Sequence, residues 1–302
     1  MTLMSKDIRV IMACIIPIEV WKALGEEAIE LLTDVFTLAL SSGRMPDEWR
    51  DSLLTPICKK KGDVLECKSY CGIKLLSHTF KLYERIIDSR LREIIRPNEA
   101  HFGFMPGKRT TDAIFTMRQV IEKYREGQEN LDIVFIDLEK AYDRVPREEI
   151  WRCLRLRGVP EVLVRTVKDM YHECTTKIRT AAGETESFMV KVGLHQGSAL
   201  SPFLFVSLMD LLTEDLELEI PWTVLYADDV MLCMAVSHEL NIKLEDWRER
   251  LEERGLRINR IKTECMRCTF GDEEENNIDL EIDLERIKEV PAFRYLKVYG
   301  LE

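Results

Sequence analysis

The chain has 302 residues, 46% of them hydrophobic, with a formal net charge of −11 and a pI near 5.2. That length suits one large globular unit or two subdomains, and no apolar run approaches the ~20 residues a membrane span needs. Global acidity argues against a polyanionic partner, but it is local: 271–289 hold nine acids and two bases, 213–220 hold four acids, and the remainder is close to neutral.

In chain order, 17–43 ("PIEVWKALGEEAIELLTDVFTLALSSG") has apolar residues at three- and four-residue spacing and predicts one helix stopped by Gly43. Residues 51–60 predict a strand, and 77–97 a helix opened by Ser77 and closed before Pro97. "HFGFMPGKR" (101–109) predicts a loop. Thr110 or Thr111 is expected to cap a helix ending at Gly127, ahead of a buried strand, "LDIVFID". Two helices follow, "PREEIWRCLRLRG" and "VPEVLVRTVKDMYHE", then a hairpin turning near Gly183 and a long apolar helix from Ser198. Two short strands, "WTVLYA" and "VMLCMA", flank Asp228 and Asp229. An amphipathic helix ends at Gly255, and the tail alternates short strands and turns. Helices and mostly antiparallel hairpins, without a β-α-β rhythm, define an α+β class.

The nine cysteines are odd in number and scattered, which reads as reduced thiols of a nuclear or cytoplasmic protein, not a secreted one. The short apolar patch near the start lacks a small-x-small cleavage site and is not read as a signal peptide. Cys265 and Cys268 have zinc-pair spacing, but strand alternation sends them to opposite faces and no second C-x-x-C completes a site.

The chemistry concentrates at the carboxylates. Asp228 and Asp229 lie inside an apolar hairpin, where ionised groups are costly without a neutralising partner. Taken alone, the pair is also what an ordinary turn uses. Asp137 ends a second apolar strand. If the strands are neighbours, the acids meet and repel unless protons or divalent cations screen them. Oxygen ligands suit Mg²⁺, and two such ions about 3.5–4 Å apart would serve an in-line phosphoryl displacement.

"IDLEKAYDRVP", "GLHQGSALSPFLF", "LYADD" and "GLRINRIKTECM", in that order, resemble the reverse transcriptases of non-LTR retrotransposons, particularly the RTE type. Upstream, "GRMPDEWRDSLLTPICKKKGD", "SYCGIKLLSHTFKLYERII" and "FGFMPGKRTTDAIFTMRQ" resemble that family's fingers segments, and "FRYLKVYG" its hairpin near the primer end. The resemblance implies a right-hand polymerase fold: fingers at 1–108 and 145–194, palm at 109–144, and palm with a terminal primer-grip-like hairpin at 195–302. It implies an RNA template, a DNA primer, deoxynucleotide triphosphates and two Mg²⁺ ions, with Mn²⁺ as a substitute, and no membrane partner. By position, Asp137 and Asp228 are the implied metal ligands, joined by the Leu138 carbonyl, while Asp229 supports the turn. Tyr142 is implied to lie under the incoming sugar, where its ring would collide with a 2′-OH; the alternative is a core tyrosine. Gln196 and Gly197 are the implied template and nucleotide contact. Lys262 is either a general acid near the pyrophosphate or a surface lysine.

The match breaks at Cys71, where an arginine is usual; a thiol cannot fork onto phosphate oxygens, so weaker nucleotide binding is expected unless Lys59, Lys60, Lys61 or Lys74 substitutes. His101 stands where glutamine is more usual, and Lys297 where glycine is. The family's endonuclease and thumb segments have no counterpart in the sequence, which leaves room for a partner supplying thumb contacts. Three readings stay open: a polymerase domain impaired by truncation, a catalytically dead remnant that binds nucleic acid or protein, and a structural protein in which Asp137 and Asp228 lie far apart.

Overall fold

A computed structural model describes residues 18–59, 62–63, 65–216, 222–271 and 280–296. The expectations placed on the apolar start, on Lys60 and Lys61, on much of the acidic tail and on Lys297 lie outside the described residues. The elements in chain order are α1 (Ile18–Leu24), α2 (Glu26–Ser42), β1 (Asp51–Cys58), β2 (Tyr70–Leu75), α3 (His78–Ile94), α4 (Thr110–Gly127), β3 (Leu131–Asp137), α5 (Ala141–Arg144), α6 (Arg147–Leu156), α7 (Glu161–Met170), β4 (Thr175–Thr180), β5 (Gly183–Glu184), β6 (Phe188–Met189), α8 (Ser201–Thr213), β7 (Thr223–Tyr226), β8 (Asp229–Met234), α9 (Ser237–Glu253), β9 (Glu264–Cys268), β10 (Glu281–Ile282), β11 (Glu285–Arg286) and β12 (Lys288–Glu289). The class is α+β. Among the described residues no helix is long and apolar enough to cross a membrane.

Two local expectations change, and one strand is added. The helix over 17–43 is two helices, because Gly25 adopts φ of +57° and breaks the run. Neither Thr110 nor Thr111 caps α4: Arg109 is the N-cap residue, and its N–H donates to Asp112 Oδ2 at 2.7 Å. Strand β2 lies in a segment to which the sequence reading gives no element; its pairing along β1, with the Leu54 side chain packed over Gly72, decides its conformation.

The chain divides into two compact units, Met1–Arg96 with Ile150–Ser201 and Pro97–Glu149 with Pro202–Glu302. In the first, β1 pairs antiparallel with β2 and parallel with β4. An aromatic cluster of Phe36, Trp49, Phe80 and Tyr83 packs beside it. The buried Arg50 guanidinium donates to the Asp169 carboxylate at 2.9 Å and to the carbonyls of Asp169 and His172, so its charge is paired.

The second unit is built on a five-stranded sheet in the order β12-β9-β3-β8-β7. Central β3 is buried from Leu131 to Ile136, which accounts for its apolar residues on both faces, Asp132 excepted. Ala113, Met117 and Val120 of α4 share a core with Ile133, Phe135, Met231, Cys233 and Met266. Leu240, Leu244, Trp247 and Leu251 line the buried stripe of α9, which contacts β8. Asp132, buried within β3, is forked by Arg267 at 2.7 and 2.8 Å and accepts from Ser237 Oγ. Cys268 packs against the α4-side core, whereas the Cys265 thiol faces the Lys288 carbonyl.

Trp247 is fully buried. Trp247→Ala is expected to cost about 3–5 kcal/mol, and Trp247→Phe markedly less, read from urea unfolding midpoints followed by circular dichroism.

Candidate active site

Asp137 is the last residue of β3 and Asp229 the first of β8, and the antiparallel register sets them opposite one another. Asp228 occupies the turn of the β7–β8 hairpin, beside Ala227 at φ of +59°, a conformation uncommon for alanine. The structural reading that needs Asp137 and Asp228 far apart is therefore wrong. The three carboxylates and Lys262 line one cavity of about 560 Å³, floored by aromatic rings including Phe293 and Tyr295. Phe293 stacks on Phe135 with centroids 3.7 Å apart. The terminal-hairpin expectation runs into 297–302, outside the described residues.

The turn is held from behind by a segment read from sequence as a plain loop. Phe102 N–H donates to the Leu225 carbonyl at 2.7 Å, and Leu225 N–H to the Ala100 carbonyl at 2.9 Å. Gly103 lies so close that a Cβ there would stand 2.5 Å from the Ala227 nitrogen. Asp210 anchors this segment by accepting from Asn98 N–H at 2.6 Å, and its carboxylate is 3.5 Å from His101 Nε2. His101 is thus a buried residue of that anchor. Glycine in the middle of "HFGF" was the sequence signal for this close approach.

Asp137 is held by the loop 257–263. Its carbonyl accepts from Asn259 N–H at 2.7 Å, its N–H donates to Thr263 Oγ1 at 3.3 Å, and Glu139 N–H donates to the Arg257 carbonyl at 2.8 Å. Leu138 forms an isolated bridge with Ile258. Lys262 Nζ lies 3.1 Å from Asp137 Oδ2. Tyr142, on α5, stacks on Phe205 with centroids 4.8 Å apart.

Charge crowding marks the site. Burial pushes the Asp228 carboxyl above its usual range, and the charge of Asp137 adds to this while Lys262 opposes it. Asp229 keeps solvent on one side. Its partial enclosure, then the charges of Asp228 and Asp137, push its pKa up to about 6. Carboxyls raised in this way favour a proton or a cation. Among the described residues no three His, Cys, Asp or Glu side chains form a ready-made metal cage. The donor set fits a hard cation that keeps most of its oxygen ligands from water or substrate, as Mg²⁺ does.

The other expected residues gather in the first unit. Lys74 N–H donates to the Gln196 carbonyl at 2.8 Å. Gly197 has φ of +108°, and a Cβ there would stand 2.5 Å from the Lys74 carbonyl oxygen, so strand β2 itself demands this glycine. Lys74 is buried, and the Cys71 thiol donates to Gln196 Oε1 at 3.5 Å.

A family model described as reverse transcriptase (RNA-dependent DNA polymerase) matches residues 58–298. The chain is 28% identical over 174 residues to a Pol polyprotein of the type-1 retrotransposable element R2 of Popillia japonica, covering 57% of this chain and 24% of that protein. It is 24% identical over 293 residues to the RNA-directed DNA polymerase from mobile element jockey of Drosophila melanogaster, covering 92% of this chain and 32% of that protein. The chain thus spans a third or less of these relatives. Among solved structures, apo telomerase from Candida tropicalis, truncated from its C-terminal domain, superposes with a TM-score of 0.55 at 13% identity, covering 76% of this chain and 52% of that one. At that identity the likeness is one of fold.

Because a Cβ at residue 103 would press on the backbone of the hairpin turn, Gly103→Ala is expected to destabilise the chain by about 1–3 kcal/mol. Hydrogen exchange should quicken at amides 225–230 before it does so elsewhere in the second unit.

Proposed function

Since the chain belongs to the reverse transcriptase (RNA-dependent DNA polymerase) family, we propose that it is an RNA-directed DNA polymerase domain of non-LTR retrotransposon origin that adds deoxynucleotides to a DNA primer on an RNA template. The observation that carries this reading is the pairing of Asp137 with Asp229 across β3 and β8, with Asp228 on the same cavity. The first unit takes the role of fingers and the second that of palm.

In this reading Asp137, Asp228 and the Leu138 carbonyl would hold divalent metal, Mg²⁺ or in its place Mn²⁺. Two such cations, when bound, supply positive charge to the attacking and leaving oxygens of the displacement. The protein's own part is positioning. Asp229 holds the turn and adds negative charge at the cavity mouth. Lys262 is placed to steady Asp137 through their ion pair, and its ammonium is the proton donor assigned to the leaving pyrophosphate. Tyr142, fixed by its stack on Phe205, presents a rigid ring that discriminates against a ribose 2′-OH. Gln196 and Gly197 make the template and nucleotide contact, and Lys74 contributes positive charge in the strand where Cys71 replaces arginine. A second reading, a remnant that binds nucleic acid or protein without incorporation, draws on that replacement: the thiol bonds to Gln196 in place of a forked phosphate contact.

Purified protein is expected to extend a DNA primer on an RNA template with Mg²⁺ present. EDTA should abolish extension, and Asp228→Ala should reduce it at least about 10³-fold. Primer–template binding without incorporation, over a wide range of enzyme and substrate concentrations, would select the second reading.

Metal binding also has a readout independent of activity. With the folded pKa of Asp229 near 6 and that of Asp228 raised, the folded state holds protons that the unfolded chain releases. This contribution to stability is full at low pH and is lost as pH rises through the folded values. A cation replaces the lost protons, so Mg²⁺ at roughly 10 to 100 times its Kd should stabilise the chain by about 1.4–2.7 kcal/mol at pH 8. The gain should shrink sharply at pH 5. Calorimetry should find it missing in the Asp137→Asn, Asp228→Asn double variant.

A further inference from the structure

Glu84, on α3, is 2% exposed; it falls within the fingers-like segment 69–87, but no role has been given to it above. A buried carboxylate needs a structural reason, because leaving water is costly unless its lone pairs are met. Both oxygens of Glu84 are occupied by one short loop. Ser198 Oγ donates to Oε1 at 2.5 Å, and Ala199 N–H donates to Oε2 at 2.9 Å. With its proton committed to Glu84, Ser198 Oγ is left to accept from Leu200 N–H at 3.1 Å and Ser201 N–H at 3.0 Å, where α8 begins.

These residues directly follow Gln196 and Gly197. On the opposite side that pair is fastened to β2, through Lys74 N–H on the Gln196 carbonyl and through the contact of Gly197 with the Lys74 carbonyl. The loop is therefore clamped between a strand and a carboxylate. A backbone segment gripped at both ends loses the freedom to reorient the side chain between them.

We propose that Glu84 is a positioning residue that sets the conformation of the Gln196–Gly197 loop for contact with the incoming nucleotide. The proposal rests on the role given to Gln196 and Gly197 above. Glu84 touches no reacting atom; it acts through Ser198 and Ala199. Burial raises its pKa to about 7, while the bonds from Ser198 and Ala199 and the nearby Lys81 lower it and Asp88 raises it. The two donors offset part of the desolvation without overcoming it.

The experiment compares the whole chain as wild type, Glu84→Leu, Glu84→Gln and Ser198→Ala, with exposed Glu93→Gln on the same helix as the charge control. Two readouts are taken: hydrogen exchange along the chain, and primer-extension kinetics with varied deoxynucleotide. Glu84→Leu removes both acceptors and should quicken exchange at amides 196–201 at least about 10-fold. The same variant should raise the deoxynucleotide KM about 5–10-fold with kcat within about twofold of wild type. Glu84→Gln keeps one acceptor and should fall between; Glu93→Gln should match wild type. If Glu84→Leu loosens the whole first unit, Ser198→Ala decides: faster exchange confined to 196–201 supports the proposal, and uniform or unchanged exchange overturns it. Unchanged exchange at 196–201 in Glu84→Leu also overturns it, whatever the kinetics. Faster local exchange with an unaltered KM overturns the nucleotide role. Gln196→Ala separates the two ideas: if it too leaves KM unaltered, the reading of Gln196 has failed; if it raises KM, the failure belongs to Glu84. No extension by wild type would overturn the polymerase reading and the nucleotide role together, and exchange would still report whether Glu84 holds the loop.

Discussion

The second unit depends on one constraint, the antiparallel register of β3 against β8. Side chains alternate along a strand, so a slip of one residue would exchange the two faces of β3 and take Asp137 off the rung of Asp229. The apolar run from Ile133 to Ile136 and the apolar residues from Val230 to Met234 of β8 specify the register through burial. Asp137 and Asp229 are opposed because both strands end their apolar run at the same rung. The energy that gathers the like charges is thus hydrophobic, and it is spread over a core far larger than the site.

The cost of that gathering is visible at the site itself. Asp228 and Asp229 hold their protons more tightly than ordinary aspartates, and Lys262, paired with Asp137, opposes this. Elsewhere buried charge is handled differently: Arg50 forks onto Asp169, and Arg267 onto Asp132. Those pairs are closed, with donors and acceptors matched. The carboxylate group at the cavity keeps an excess of negative charge, which the crowding of three acids makes costly.

Backbone contact is the second theme. Gly103 lies against Ala227, and Gly197 against Lys74, each with no room for a Cβ. In both places a glycine lets one segment lie directly on another that carries candidate site residues. The Cys71 thiol bonds to the side chain of Gln196, so β2 and the loop at 196–197 belong to one local arrangement.

Legibility followed the range of the interactions. Ser77 as the cap of α3, Gly43 as the stop of α2 and the apolar strands around Asp137 and Asp228 depend on neighbours within a few residues, and they read correctly from the letters. The break at Gly25 and the conformation of β2 did not, since a single glycine and a strand partner elsewhere in the chain outweigh local periodicity. The motif residues were nameable individually, yet the loop 257–263 behind Asp137, the strap 98–103 behind the turn and Glu84 behind Ser198 were not. By itself the sequence determined which residues could carry the chemistry, and in which strands and turns, because composition and period are local properties. The tertiary structure alone decided which acids meet and what holds them there, because hydrogen bonds and close backbone contacts between distant segments leave no period to read.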